Sequence, residues 1–543
     1  MSANTPFGRR TFLSGALLSA AGLAGVGSLA GCTTVTRSTD IKAINKAVAL
    51  PDYVRWKGPK PDLPTVNPLM PDAYYRYPAT TKVLSGHPGD GSRLQGTVPT
   101  NTPVPPSLDR NQYWKALNGR LGLDLGLSIT PGGDYPNKFQ TALAGDQLGD
   151  VWNIFGAPPY LPQLLQAKAQ DLTEYLSGDA IRRYPFLANL PTEAWRGCVF
   201  AGGIYAVPVA RGIIGTNVLL SRQDLFEERG VDMTFKNVDE LQSLAGQMTD
   251  ERSNKWAFAA VPNLVLSAML GLPNTWQEKG GRFTSENELD AHKDMLEIGR
   301  RMTSKGLVHP DSVSAPNAKV WFNQGSAAMT QDTYTALPGF YQQNVAGKAF
   351  TIGIPTIPGP DGKQGNVWLP NPNNSITAVS KASPDRIRMI LDALNWFAAP
   401  FGSKEYTFRK YGVEGHDFDF SNGEPVLTTT GNSETGLGAF PIEYIVDSPI
   451  PIYYSGHPDG TDSVYRNMLA MQPHAIQNPT YGLYSPTNST KGSLLSTVLS
   501  NATNDIYLGR KPVSSWDSVV SQWRKGGGDA IRSEYERAFE AKN

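Results

Sequence analysis

One stretch, residues 201–232 (AGGIYAVPVARGIIGTNVLLSRQDLFEERGVD), constrains the chain more than any other part of it. Gly202-Gly203 opens a turn, two short β-branched runs follow with Arg211-Gly212 between them, and a charged helix-forming segment, 223–229, ends at Gly230. A glycine inside an extended run lets the backbone bend, so the two runs can belong to different bodies of the protein. Two ordinary strands of one core, joined by a turn, satisfy the same residues.

Length favours the first reading. A chain of 543 residues is too long for one hydrophobic core, so two domains, or a discontinuous pair, are expected. With 49 basic and 49 acidic side chains and no run of like charge, neither nucleic acid nor an anionic bilayer surface is implied as partner. The 11 Trp, 22 Tyr and 20 Phe, set among 42 Pro and 54 Gly, describe a loop-rich secreted protein with many flat amphipathic side chains to place.

Residues 1–31 read as an address. Arg9-Arg10-Thr11-Phe12-Leu13 is a twin-arginine pattern, and the uncharged run after it ends in Leu29-Ala30-Gly31-Cys32, which resembles the lipobox of bacterial lipoproteins. Cys32 is then the expected lipidation site, 32–45 a tether, and the extracytoplasmic face of the cell membrane the expected location. An uncleaved spanning anchor is the competing reading, weakened because Ala and Gly contribute little to insertion. With Cys32 acylated, Cys198 is the one thiol left and no internal disulfide forms.

Residues 51–106 hold 12 of the 42 prolines, which excludes helix, while Tyr53, Trp56, Tyr74, Tyr75 and Tyr77 argue against disorder. An extended strap on a folded body is expected there. From Arg110 the pattern alternates: helices at 113–121 and 135–143, strands at 123–129 and 150–155, and a helical face from Leu161 to Leu176. Further helices are expected at 238–248, 286–302, 384–398 and 531–540, a short strand at 351–355, and a second crossing at 367–380. Such alternation implies an α/β protein with a parallel or mixed sheet covered on both faces.

Several segments together resemble the extracellular solute-binding proteins of ABC importers, in the branch that holds oligosaccharide- and alginate-binding lipoproteins. They are Gly132-Gly133-Asp134-Tyr135 with Gly145-Asp146, Gly203-Ile204-Tyr205-Ala206-Val207-Pro208, the 220–230 helix with its terminal Gly, Phe322 to Met329, Tyr411-Gly412-Val413-Glu414-Gly415, and Gly509-Arg510-Lys511-Pro512 with Trp516. The resemblance implies a two-lobe, periplasmic-binding-protein-like (type II) α/β fold with a hinge. By the same analogy one lobe comprises 46–208 and 374–435, the other 212–370 and 440–543. It further implies a monomeric receptor, with no cofactor, that closes over a carbohydrate and delivers it to the permease's transmembrane subunits. Alginate-type relatives carry a calcium loop after the helix that ends here at Met248, but residues 249–256 offer too few oxygen ligands at alternating positions, so no calcium is expected there.

Catalytic signatures are sparse. The six histidines (87, 292, 309, 416, 457 and 474) form no i,i+4 pair, and neither a Gly-x-Ser-x-Gly elbow nor a phosphate-cradling loop occurs. No catalytic residue and no metal ligand is therefore expected. Paired carboxylates stay open, so a secreted polysaccharide-degrading enzyme or a glycan adhesin is the alternative. Sugar binding needs flat rings against C–H faces and a few amides or charges for the hydroxyls. Trp152 ends a strand at a sheet edge where open α/β folds bind ligands. Arg211 stands at the first crossing, Trp368, Asn371, Asn373 and Asn374 at the second, and Trp276 and Tyr334 are candidates from the second lobe.

Overall fold

Val, Leu and Thr, favoured on a pleated surface, build the strands of two sheets, and the chain passes between the sheets more than once. The computed structural model describes residues 45, 47–66, 70–156, 158–313, 317–342 and 350–540. The expected leader, Cys32 and nearly all of the tether lie outside them.

Strands β1 (Arg93–Thr100), β2 (Asp124–Pro131) and β3 (Val151–Ile154) run parallel, with β1 in the middle. Parallel neighbours need crossovers, and the helices Gln112–Leu121 and Tyr135–Ala144 provide them. Asn111 caps the first by accepting from Trp114 N, and Gly122, at φ 63°, ends it in the left-handed conformation. After β4 (Val207–Ala210) the chain leaves this sheet. It forms β5 (Asn217–Arg222), β6 (Trp256–Phe258), β7 (Ala327–Thr333) and β8 (Ile352–Gly353), paired in the order β8-β5-β7-β6. It then returns as β9 (Asn373–Val379), antiparallel to both β3 and β4, giving a five-stranded sheet of order β2-β1-β3-β9-β4.

Each sheet has its own core. Leu94, Val98, Trp152, Val207, Ile376 and Leu394 belong to the first, and Phe440, Ile442, Ile445 and Val446 pack with them. Leu219, Phe258, Leu296, Met329 and Trp516 belong to the second. A third cluster joins Ile213 and Ile214, just past β4, to Val218, Leu220, Ile452 and Tyr465. The two bodies are thus linked by apolar contacts at the crossings as well as by the backbone.

Two expectations need correction. The proline-rich segment 51–106 is a strap only as far as residue 92, because β1, the strand between β2 and β3, lies inside it. Gly96 and Pro99 dilute its apolar pattern, and Pro99 is tolerated because β3 pairs with β1 only at Gly96 and Thr97. The expected single helix over 161–176 is two, Leu161–Lys168 and Thr173–Leu176, because Gln170 N donates to Val379 O at 2.7 Å and draws the intervening backbone to β9. The strap itself touches both bodies: Trp56 Nε1 donates to Phe401 O at 3.2 Å, and Tyr465 Oη donates to Pro64 O at 2.7 Å. Among the described residues no helix is long and apolar enough to cross a membrane.

Candidate binding site at the crossings

The first two crossings are hydrogen-bonded to each other. Pro372 O accepts from Arg211 N at 3.0 Å and from Gly212 N at 3.1 Å. Gly212 sits at φ 55°, a conformation that strains residues bearing a Cβ, which accounts for the glycine within the extended run. Arg211 Nη1 is 3.1 Å from Asp447 Oδ2, while buried Arg409 donates to Asp447 Oδ1 and, at 3.1 Å, to Ser448 Oγ. Burial pushes the Asp447 carboxyl up, but the charges of Arg409, Lys410 and Arg211 outweigh it and bring it down to about 2.

Beside the second crossing lies a cavity of ≈ 380 Å³, lined by β5, the helix Asn263–Met269, residues 354–357 and 366–370, and the end of the helix Pro458–Met471. Its size falls within the range of small-molecule sites. Three of its amides are already fixed. Asn274 Nδ2 donates to Leu369 O at 3.0 Å and Ile476 O at 3.1 Å, Gln331 Oε1 accepts from Val265 N at 3.2 Å, and Asn467 Oδ1 accepts from Tyr334 Oη. One group is not satisfied. The buried Trp368 Nε1 has no partner among the described residues, and an orphaned buried donor costs roughly 1–3 kcal/mol. Among the described residues Glu286 is the one charged side chain in the lining, and burial pushes its carboxyl up to about 7.

Of the expected ligand-binding residues, the structure brings only Trp368 to this cavity. Trp152 is 0% exposed: its indole N–H donates to Ser380 Oγ at 3.1 Å and its ring packs on Phe139, because β3 is covered on both faces. Trp276 is buried among Phe283, Trp523 and Tyr535. Tyr334 is also buried and reaches the cavity only through Asn467. These three rings are core in this structure, a correction to the expectation that they face a ligand. Arg211 is held in its ion pair, Asn373 Nδ2 donates to Ala194 O at 2.7 Å, and Asn371 and Asn374 are exposed on the crossing.

Sequence reasoning did not single out Glu286 or Gln331, since nothing in the order of residues shows that an acidic side chain beginning a helical turn faces a cavity. Tyr160 and Tyr484 are two further rings that sequence reasoning did not single out. Both are exposed, Tyr160 at 62%, on segments that meet across the two bodies: Ser489 Oγ donates to Pro158 O at 3.4 Å and Tyr481 Oη to Glu193 O at 3.3 Å. Tyr160 follows β3 at the carboxyl end of the sheet, the edge at which ligands bind such folds.

Two bodies of this topology, joined by several crossings with a cavity beside them, define a two-lobe solute-binding fold. The chain belongs to the bacterial extracellular solute-binding protein family, whose profile matches residues 116–388. It is 24% identical over 383 residues to the polygalacturonan/rhamnogalacturonan-binding protein YtcQ of Bacillus subtilis, covering 67% of this chain and 75% of the relative. Lipoprotein LipO of Bacillus subtilis is 19% identical over 83% of this chain and 93% of its own length. Among solved structures, the FusA substrate-binding protein of S. pneumoniae in complex with kestose superposes with a TM-score of 0.60 at 14% identity, covering 83% of this chain and all of that one. The alginate-binding protein AlgQ2 without calcium ion superposes with a TM-score of 0.57 at 14% identity, covering 84% and 99%.

Proposed function

We propose that this protein is the lipid-anchored receptor of an ABC importer, which captures an oligosaccharide between its lobes and hands it to the permease's transmembrane subunits. The observation that carries the reading is the cavity beside the second crossing, with an unsatisfied indole N–H, a lone carboxyl and several amides. A sugar presents both donors and acceptors to such a set and a C–H face to apolar neighbours. A relative named for binding polygalacturonan/rhamnogalacturonan, a solved neighbour named alginate-binding and another solved in complex with kestose support the carbohydrate class. The proposed lobes are those the resemblance implies, 46–208 with 374–435 and 212–370 with 440–543, except that residues 440–446 go to the first lobe because they pack in its core; a ligand reaching from the cavity on the second lobe to the first favours closure. The protein binds and releases its sugar without turning it over.

A thermal-shift screen over oligosaccharides, including galacturonan, alginate and fructan fragments, tests this. A ligand at a hundred times its Kd adds about 2.7 kcal/mol, and small-angle scattering should show compaction with the same ligand. Release of reducing ends from any of these glycans would overturn the receptor reading. Mass spectrometry of Cys32, and loss of the membrane-bound form in Cys32→Ser, test the anchor.

A further inference from the structure

We propose that His416, Asp417 and Glu434 form a binding site for one divalent transition-metal ion of the Zn²⁺ class in the first lobe. The three residues come from two elements: His416 and Asp417 from the turn after the helix Lys404–Tyr411, and Glu434 from the end of the helix Thr429–Glu434. One donor atom from each lies within 4.8 Å of the other two. His416 Nε2 is 3.5 Å from a Glu434 carboxylate oxygen and 3.8 Å from Asp417 Oδ1. Tetrahedral zinc with bonds near 2.0–2.1 Å holds its ligands about 3.3 Å apart, so the two His416 pairs need only a few tenths of an ångström of contraction and the whole set, which spans up to 4.8 Å, a side-chain adjustment of up to about 1.5 Å.

The protein leaves two of these atoms unanswered. Asp417 is fully buried and its Oδ1 has no hydrogen-bond partner among the described residues, nor does the buried His416 Nε2. Among the described residues no Lys or Arg pairs with either carboxylate, and His416 is the one positive partner available. Two carboxylates buried together with no Lys or Arg partner are costly, and a divalent cation removes that cost.

The surrounding shell is built to hold the ligands still. Asp417 Oδ2 accepts from Val413 N at 2.8 Å, Glu434 Oε2 accepts from Tyr113 N at 2.8 Å, and the Thr428 hydroxyl donates to His416 O at 2.9 Å. Glycines permit the approach: a Cβ on Gly431 would lie 1.8 Å from Asp417 O, and one on Gly412 2.4 Å from Asp417 Oδ2. His416, at 32% side-chain exposure, forms the entry side. One imidazole and two carboxylates suit zinc or a neighbouring transition metal, whereas calcium requires six to eight oxygens.

The test uses the full chain stripped with a chelator, titrated with Zn²⁺ and separately with Ca²⁺ by calorimetry and thermal melting. One equivalent of Zn²⁺ should bind and raise the Tm, with Ca²⁺ having no such effect. His416→Gln, at a partly exposed position, should keep the fold by circular dichroism and weaken Zn²⁺ at least tenfold, and Glu434→Gln should do the same. Neither should alter carbohydrate binding, because neither residue lines the cavity beside the second crossing. Absence of a Zn²⁺-dependent shift in the natural protein would overturn the proposal, as would unchanged Zn²⁺ affinity in His416→Gln, which would place the ion at other histidines.

Discussion

Arg211 and Asp447 stand 3.1 Å apart, tying the first crossing to the segment that follows residues 440–446 of the first core. Asp447 is 1% exposed and shares its other oxygen with Arg409, itself 2% exposed, so the carboxylate is the one anion answering two guanidinium groups. The shared carboxylate fixes the first crossing against the buried Arg409 of the first lobe.

Removing that anion should be expensive. Asp447→Asn leaves Arg409 buried and unpaired, and stability should fall by about 3–5 kcal/mol in denaturant titration. Arg211→Gln should cost less, because Asp447 keeps its second partner. The carboxyl is held at about 2, below its usual value, so its contribution is present above pH 3.8 and is lost as pH falls through about 2. A loss under about 1 kcal/mol for Asp447→Asn would mean the pair behaves like a surface ion pair.

Glu286 gives the opposite sign. Its carboxyl is raised from 4.5 to about 7 by burial, so the folded, ligand-free protein prefers it protonated. Its contribution is therefore complete below pH 4.5 and is lost as pH rises through about 7. Thermal melting between pH 5 and 8 should show a falling Tm that flattens in Glu286→Gln. An unchanged slope in the variant would place the titrating group elsewhere.

The pattern of helices and strands was legible because their periodicities are local. The helix Val238–Met248 lies where its apolar spacing puts it, and the crossings around Arg211 and residues 369–372 carry the glycine and prolines that mark them. Strand β1 was hidden because its identity comes from its neighbours: Thr97 is buried only because β2 and β3 flank it. Ring placement was hidden for the same reason. Trp152 and Trp368 are both next to apolar residues in sequence, yet one closes a core and the other lines a cavity, and only the stacking of distant helices decides which.

His292 predicts acid sensitivity. Its ring is stacked on Trp516 at 4.8 Å, neither ring nitrogen has a partner among the described residues, and burial lowers its pKa from 6.5 to about 4. The neutral ring is accommodated and the charged one is not. Stability should therefore be retained above pH 6.5 and decline as pH falls toward 4, and His292→Phe should remove that part of the decline. Melting curves at pH 7 and pH 4.5 for the two proteins measure it.

Tyr160 and Trp152 together test which rings meet the ligand. Tyr160 is 62% exposed at the carboxyl edge of the first sheet, whereas Trp152 is 0% exposed beneath it, so the same truncation should act on different quantities. Trp152→Ala should cost about 3–5 kcal/mol of stability through the cavity it leaves. Tyr160→Ala should leave the Tm within about 1 °C, because exposed substitutions change stability by less than about 0.5 kcal/mol. If the ring packs on a sugar, its loss should weaken oligosaccharide binding roughly three- to tenfold, matching about 0.5–1.5 kcal/mol for an aromatic face. Tyr484→Ala, on the facing segment, should behave like Tyr160→Ala and not like Trp152→Ala. Unchanged affinity in both tyrosine variants would confine recognition to the cavity around Trp368 and Glu286.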